Sequence, residues 1–244
     1  MTKIIIPARI KSTRLPEKVL RDVEGLPLFV ETANKAIEII GRKSVIVATD
    51  SIKVLEASKR FNISCEMTSD KCLTGSDRVV SLAKEKGFKK VINLQADEPL
   101  FPLSSIKEMI NYVENNYVKG VLAGYEFTND NEKYMSLKVP KMIISSEKNL
   151  IYTSRHPLPA SKKSNSSKFG NIQVCIYAYN IDNVFCYHEK RKKGFLEQSE
   201  DLELLACIEN NVEVKCIELE NSPFSIDTEE DYSNLKNYYK KKNF

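Results

Sequence analysis

Three short runs rich in isoleucine and valine, residues 3–7, 44–49 and 90–94, each stop at polar or turn residues, and helical patterns fill the intervals between them. Buried parallel strands have that continuous apolar character, and parallel neighbours need a long crossover, usually a helix. Leu28, Phe29, Ala33, Ala36, Ile37 and Ile40 recur at helical spacing, and Val54, Leu55, Ser58 and Phe61 repeat the idea after a cap at Asp50 or Ser51. Pro102 stands in the first turn of a further helix carrying Ile106, Met109, Ile110 and Val113. Strand, helix, strand is thus the repeating unit. It predicts an α/β fold whose first half is a mostly parallel, doubly wound nucleotide-binding sheet.

The second half changes character. Extended runs at residues 121–127, 138–144, 149–153 and 171–179 lie close together, which predicts antiparallel additions forming an inserted lobe over roughly residues 120–215. A loop at residues 157–170, rich in Ser, Lys and Pro, is long enough to be a mobile lid or a plain surface excursion. A last helix over residues 229–240 follows Asp227-Thr228. With 244 residues, 42% of them hydrophobic, and no linker composition, the chain reads as one domain, 1–244.

Charge excludes some partners. Lys and Arg total 37 against 33 Asp and Glu, and the net charge of +4 is spread along the chain, so nucleic acid is not implied. The basic stretches at residues 190–193 and 240–242 read as solvated faces. The first apolar run is too short for a signal peptide or a membrane span, so a cytoplasmic protein without membrane insertion is expected. Six cysteines form no CxxC pair and the chain has two histidines, so reduced, mostly buried thiols are expected rather than a metal cluster.

The chemistry concentrates at strand ends. Directly after the first strand comes Pro7-Ala8-Arg9-Ile10-Lys11-Ser12-Thr13-Arg14-Leu15-Pro16-Glu17-Lys18. Ligands in open α/β sheets lie outside the carboxyl ends of the strands, and Arg forks with a Lys point charge suit a triphosphate. No glycine pattern of the P-loop or dinucleotide type is present. At Leu94-Gln95-Ala96-Asp97-Glu98-Pro99 an apolar strand stops at two carboxylates, which makes Asp97 a candidate magnesium ligand, although Asp-Glu-Pro alone is also an ordinary turn. Leu73-Thr74-Gly75-Ser76-Asp77-Arg78 opens a helix, either as a site for a base or phosphate or simply with Ser76 as its N-cap.

ProAlaArg-x-x-SerThrArgLeuPro-x-Lys, ThrGlySerAspArg and GlnAlaAspGluPro, in this order, resemble the 3-deoxy-manno-octulosonate (KDO) cytidylyltransferases, or CMP-KDO synthetases. The likeness runs on through Tyr152-Thr153-Ser154-Arg155, Ile176-Tyr177-Ala178-Tyr179, an acidic helix over residues 196–205, and Ser225-Ile226-Asp227-Thr228-Glu229-Glu230-Asp231. The resemblance implies transfer of CMP from CTP to the anomeric hydroxyl of a 2-keto-3-deoxy sugar acid. It implies that Arg9, Arg14 and Lys18 grip the phosphates, that Ala8, Thr74, Gly75, Ser76 and Arg78 line the cytidine pocket, and that Asp97 and Asp227 share Mg2+. It sets Gln95, Arg155, Gln173, Tyr177, Glu200 and Glu203 near the sugar acid, in a homodimer formed through the inserted lobe. Four departures stand out: Gln173 replaces a family histidine, Cys175 a glycine, Ala96 a glycine, and Leu204-Leu205-Ala206 a Gln-Leu-Arg sequence. They keep open an amino-substituted octulosonate or a sialic-acid-like nonulosonate as acceptor. A silent sugar-nucleotide-binding protein is disfavoured by retention of both aspartates and the basic loop.

Overall fold

The chain enters on β1 (Lys3–Ala8) and makes a small hairpin of β2 (Asp22–Val23) and β3 (Leu26–Pro27). It then alternates through α1 (Leu28–Ile40), β4 (Val45–Thr49), α2 (Ile52–Arg60), β5 (Cys65–Met67), α3 (Gly75–Glu85), β6 (Lys90–Leu94) and α4 (Leu103–Asn115). The remainder holds β7 (Val121–Thr128), α5 (Asn131–Met135), β8 (Lys141–Ile144), β9 (Leu150–Ser154), β10 (Gly170–Asn180), α6 (Phe195–Glu200), α7 (Leu205–Glu209), β11 (Val214–Glu218) and α8 (Glu229–Lys242). This computed structural model describes residues 2–12, 14–160, 162, 169–188, 190–220 and 225–242. Thr13 of the basic motif, and residues 161 and 163–168 of the loop read as a lid or excursion, lie outside the described residues.

The main sheet has the order β11-β7-β10-β6-β1-β4-β5, with β8 pairing β10 and β9 pairing β8. β1 is parallel to both β4 and β6, whereas β10 runs antiparallel between β6 and β7. Chain order moves from β1 outward to β4 and β5, then returns to β6 on the other flank of β1. That reversal is a topological switch point, and the crevice it opens lies at the carboxyl ends of β1 and β6. The basic loop and the Gln95 to Glu98 carboxylates leave the sheet at those two ends.

Alternation along the strands fixes the two faces. Ile4, Ile6 and Ala8 of β1 pack with Phe29 and Ala33 of α1, Val54 of α2 and Met109 of α4, whereas Ile5 joins Val79, Leu82 and Ala83 of α3 on the opposite face. Burial of each such large side chain contributes about 1.5–3 kcal/mol, and a slip of one residue would exchange both sets, so the register of β1 is strongly specified.

Several elements differ from the sequence reading. The strand expected from residue 138 begins at Lys141, because Pro140 has no N–H to donate and disfavours regular pairing beside it. The acidic helix splits into α6 and α7 where Asp201 adopts φ 50°, left-handed backbone that ends a helix. The N-cap of α3 is Thr74 in a reciprocal capping box with Asp77, and Ser76 lies inside the helix. Pro102 is the N-cap of α4 rather than part of its first turn. β5 and β11, too short and too polar to stand out as apolar runs, complete the sheet edges. Arg191, expected on a solvated face, is buried between Asp77 and Glu197, while Lys190 and Lys192 beside it are exposed. Of the six cysteines, Cys186, Cys207 and Cys216 are buried and Cys65, Cys72 and Cys175 partly so, and none of the six is joined in a disulfide.

Candidate active site

Two adjoining cavities of about 570 and 400 Å³ open at the switch point. The larger is lined by Arg9, Lys11, Arg14, Lys18, Gly75, Arg78 and Asp97, the smaller by Lys138, Gln173, Cys175, Tyr177, Lys193 and Asp227, and both by Arg9, Arg14, Gln95, Asp97, Arg155, Asp201 and Glu203. Distant parts of the sequence meet at their junction. The ammonium of Lys18 donates to Asp97 Oδ2 at 2.5 Å and to Asp227 Oδ1 at 3.0 Å, and Arg14 Nη2 donates to Asp227 Oδ1 at 3.0 Å. Burial alone would push the Lys18 pKa down, but Asp97 and then Asp227 outweigh it and hold it above the usual lysine value. Asp227 is delivered here because the Ile226 N–H donates to the Asp97 carbonyl and Asp231 caps the first turn of α8 through Thr228.

In the larger cavity, Arg78 projects from α3 and pairs with Asp50 at 2.8 Å, both nearly enclosed. Asp50 also accepts the Ile10 N–H at 3.3 Å, which ties the basic loop to the end of β4. Asp50 was legible only as a helix cap, although it shares with Asp97 the signal of a carboxylate ending a buried strand. At Gly75 a Cβ would lie 3.2 Å from Pro7 Cγ, so the backbone of α3 approaches β1 as closely as a side chain allows. Ala96, where the related pattern has glycine, is absent from the left-handed backbone region and its methyl is simply buried. Ala8 is enclosed and its carbonyl accepts from Thr49 at 2.6 Å, so it shapes the loop without lining either cavity.

Glu203 and Glu200 hold different places. The Glu203 carboxylate accepts the Gly75 and Ser76 N–H groups at 3.1 Å each and the Ser76 hydroxyl, satisfying the first turn of α3. Burial pushes its pKa up, against the pull of those hydrogen bonds. Behind it, Ser76, Tyr179, Asn93 and Gln95 form a continuous hydrogen-bonded chain. Glu200 lines neither cavity; it accepts from the Ser154 hydroxyl at 2.7 Å and the Arg155 N–H at 2.9 Å.

In the smaller cavity, Gln173 donates to the Tyr177 hydroxyl at 2.7 Å and its carbonyl accepts from Thr153 at 3.4 Å. Glu98 is buried below Asp97; desolvation, then the Asp97 charge, push its pKa well above the usual carboxylate value, and its Oε2 has no hydrogen-bond partner among the described residues. Arg191 joins Asp77, at 2.5 Å, to Glu197, and Asp77 in turn accepts from Thr74 N and Oγ1, so this interior triad fixes the loop that opens α3. Sequence reasoning missed Arg191 because its neighbours are ordinary exposed lysines.

The arrangement, a basic strand-end loop facing two convergent carboxylates at a switch-point crevice, is that of a site for nucleoside polyphosphates. Solved and curated proteins match the chain along nearly their whole length. A CMP:2-keto-3-deoxy-manno-octonic acid synthetase solved with CTP superposes with a TM-score of 0.88 at 25% identity, over 99% of both chains. A 3-deoxy-manno-octulosonate cytidylyltransferase of Chlorobium chlorochromatii is 31% identical over 98% of this chain and 97% of its own. One of Chloroherpeton thalassium is 31% identical over 98% of each. Residues 3–217 match the family described as cytidylyltransferase, and the chain belongs to that family.

Proposed function

We propose that the protein transfers CMP from CTP to the anomeric hydroxyl of KDO and releases pyrophosphate. The observation that carries the reading is the junction of the two cavities, where Lys18 spans Asp97 and Asp227 and where Arg9 and Arg14 line both chambers. A triphosphate entering through the larger chamber there meets the hydroxyl of an acid held in the smaller one. The names of the full-length relatives and the CTP complex support this assignment.

Arg9, Arg14 and Lys18 hold the phosphates and offset charge growing on the leaving pyrophosphate. Gly75 and Arg78 line the cytidine end, with Ala8, Thr74 and Ser76 shaping the backbone around it. Gln95, Arg155, Gln173 and Tyr177 face the acceptor, Arg155 toward its carboxylate, while Glu200 stands behind Arg155. Asp97 and Asp227 fit a divalent cation of the magnesium type, since both already converge on one positive charge. No group of three acidic, histidine or cysteine side chains suited to a metal occurs among the described residues, and two carboxylates completed by phosphate oxygens and water is how magnesium is usually held. Bound there, the ion supplies Lewis-acid polarisation of the α-phosphate and acidifies the attacking hydroxyl. Catalysis by the chain itself is alignment of hydroxyl and phosphorus for in-line attack, with no covalent intermediate. Neither His156 nor His188 lines the cavities, so histidine is not the base.

Among the described residues no helix is long and apolar enough to cross a membrane, in keeping with work on soluble substrates. The exposed rings of Phe127 on β7 and of Phe169 just before β10, 5.8 Å apart, support homodimer contact through that lobe, which light scattering checks. The deciding experiment is CTP-dependent pyrophosphate release with a panel of acids. KDO is expected to be turned over fastest; release only with an amino-substituted or nine-carbon acid, or with none, overturns the assignment.

A further inference from the structure

Lys141 has no exposed surface, yet among the described residues no carboxylate lies within ion-pairing distance of it. Its ammonium donates instead to two main-chain carbonyls, Ser136 at 2.7 Å and Arg155 at 2.6 Å. A buried ammonium is costly to desolvate and is kept where polar partners offset that cost; here it cross-links two segments, although the Ser136 carbonyl also accepts the Val139 N–H at 3.1 Å. Burial, and then the neighbouring Arg155 charge, push its pKa below the usual lysine value, with Glu200 opposing.

Those two carbonyls belong to the two segments that carry the wall of the smaller cavity. Ser136 begins the irregular stretch bearing Leu137, Lys138 and Pro140, and Arg155 follows the end of β9. Arg155 closes the same staple from its own side, donating from Nη1 to Leu137 O at 3.3 Å, from Nε to Glu200 O at 2.6 Å and from Nη2 to Asp201 O at 3.1 Å. Carbonyls therefore hold its fork by three of the five N–H groups a guanidinium offers, and among the described residues no carboxylate forms an ion pair with it where it borders the two cavities, although Asp201 feels its charge. Without the Lys141 ammonium, the Arg155 carbonyl and the Ser136 carbonyl lose a shared donor, and the 136–140 segment is left to the long 3.3 Å bond from Arg155 Nη1 to Leu137 O for its hold on the end of β9.

Resting on the reading of the smaller cavity as the acceptor site, we infer that Lys141 is a positioning residue for acceptor recognition, pinning the 136–140 segment to Arg155 so that the guanidinium is preorganised for the carboxylate of the sugar acid. The effect is expected mainly on the acceptor, because Arg155 borders both cavities whereas Leu137, Lys138 and Pro140, on the segment that Ser136 opens, border the smaller one alone. Preorganisation of that kind is felt in the binding of the ligand concerned.

The test is steady-state kinetics on Lys141→Met and Lys141→Gln, with wild-type turnover of KDO as the control. KM for KDO is expected to rise about tenfold in Lys141→Met and less in Lys141→Gln, whose amide still reaches one carbonyl, while KM for CTP stays within about twofold. A folded variant of either kind with an unchanged KM for KDO overturns the inference, as does a proportional rise of both KM values, which marks a purely structural lysine. Should Lys141→Met not fold, Lys141→Gln alone decides between these outcomes. No KDO turnover by the wild type sinks the functional reading itself, and this inference with it.

Discussion

Around the larger cavity, proposed for the nucleotide, most of the polar groups come from short stretches of chain, residues 9–18, 75–78 and 95–97, each leaving the end of a parallel strand or opening a helix, and Arg155, Asp201 and Glu203 are shared with the smaller one. Around the smaller cavity, proposed for the acceptor, Arg9, Arg14, Gln95 and Asp97 recur, and the other polar groups are single residues far apart in sequence, with Lys138, Arg155, Gln173, Tyr177, Asp201 and Asp227 brought together by β9, β10 and two helix junctions. A triphosphate requires concentrated positive charge, which contiguous loops supply. A sugar acid requires shape and a few aimed donors, which only the register of several strands supplies. The first kind of site is written in motifs, and the second in packing.

The largest effect expected is on the shared floor. Asp97→Asn or Asp227→Asn should lower kcat/KM by about a thousandfold or more, roughly 4 kcal/mol, with circular dichroism unchanged. Near-wild-type turnover of either variant at saturating magnesium would separate that carboxylate from the metal and move the junction elsewhere. Arg191→Met should follow at about 3–5 kcal/mol of stability in urea unfolding, since Asp77 and Glu197 would both be left buried without their cation. A loss below about 1 kcal/mol would mean that the triad relaxes to solvent, and that the α3 loop is fixed by its capping box alone.

Lys18→Met divides the comparison most directly. It should cost about a hundredfold in kcat, roughly 2.7 kcal/mol, through weaker handling of the leaving pyrophosphate. In nucleotide-free protein the same change should tighten Mn2+ binding, read by electron paramagnetic resonance, by about five- to tenfold, because the ammonium that spans both carboxylates is gone. Arg14→Gln, which removes an exposed cation from Asp227 alone, should shift it less. Equal or weaker Mn2+ binding in Lys18→Met would show that metal and lysine occupy separate places. The smallest effect belongs to Gln173→His. With the amide already bonded to Tyr177 and Thr153, the preference among acids should move by less than about 1 kcal/mol. A shift beyond tenfold in the acceptor panel would mean that residue 173 touches the sugar.

Legibility followed the same division. The strands at residues 3–8, 45–49 and 90–94 were readable because each is buried on both faces and must be apolar throughout, and Arg9, Arg14, Lys18 and Asp97 because they end such strands. Asp227 was found only through resemblance; nothing local distinguishes it from other acidic helix starts, and the Ile226 to Asp97 main-chain bond that delivers it spans most of the chain. Lys141 and Arg191 were not legible, since a buried cation and a solvated one look alike until their partners, two carbonyls in one case and Asp77 with Glu197 in the other, are in place. The division of the acidic helix rested on one residue, Asp201, whose left-handed backbone no pattern of hydrophobicity reports.

Glu203 stands in the wall common to both cavities, and its carboxylate is spent on the amides that open α3. Donor and acceptor preference therefore share a component and are not modular. A lineage, or an engineer, changing this position to suit a different base would disturb the sugar chamber in the same stroke, and a change made for a new sugar would loosen the loop that frames the base. Substrate range in such a cleft is expected to drift through positions such as 173 and 175, which face one chamber only, while residue 203 stays fixed.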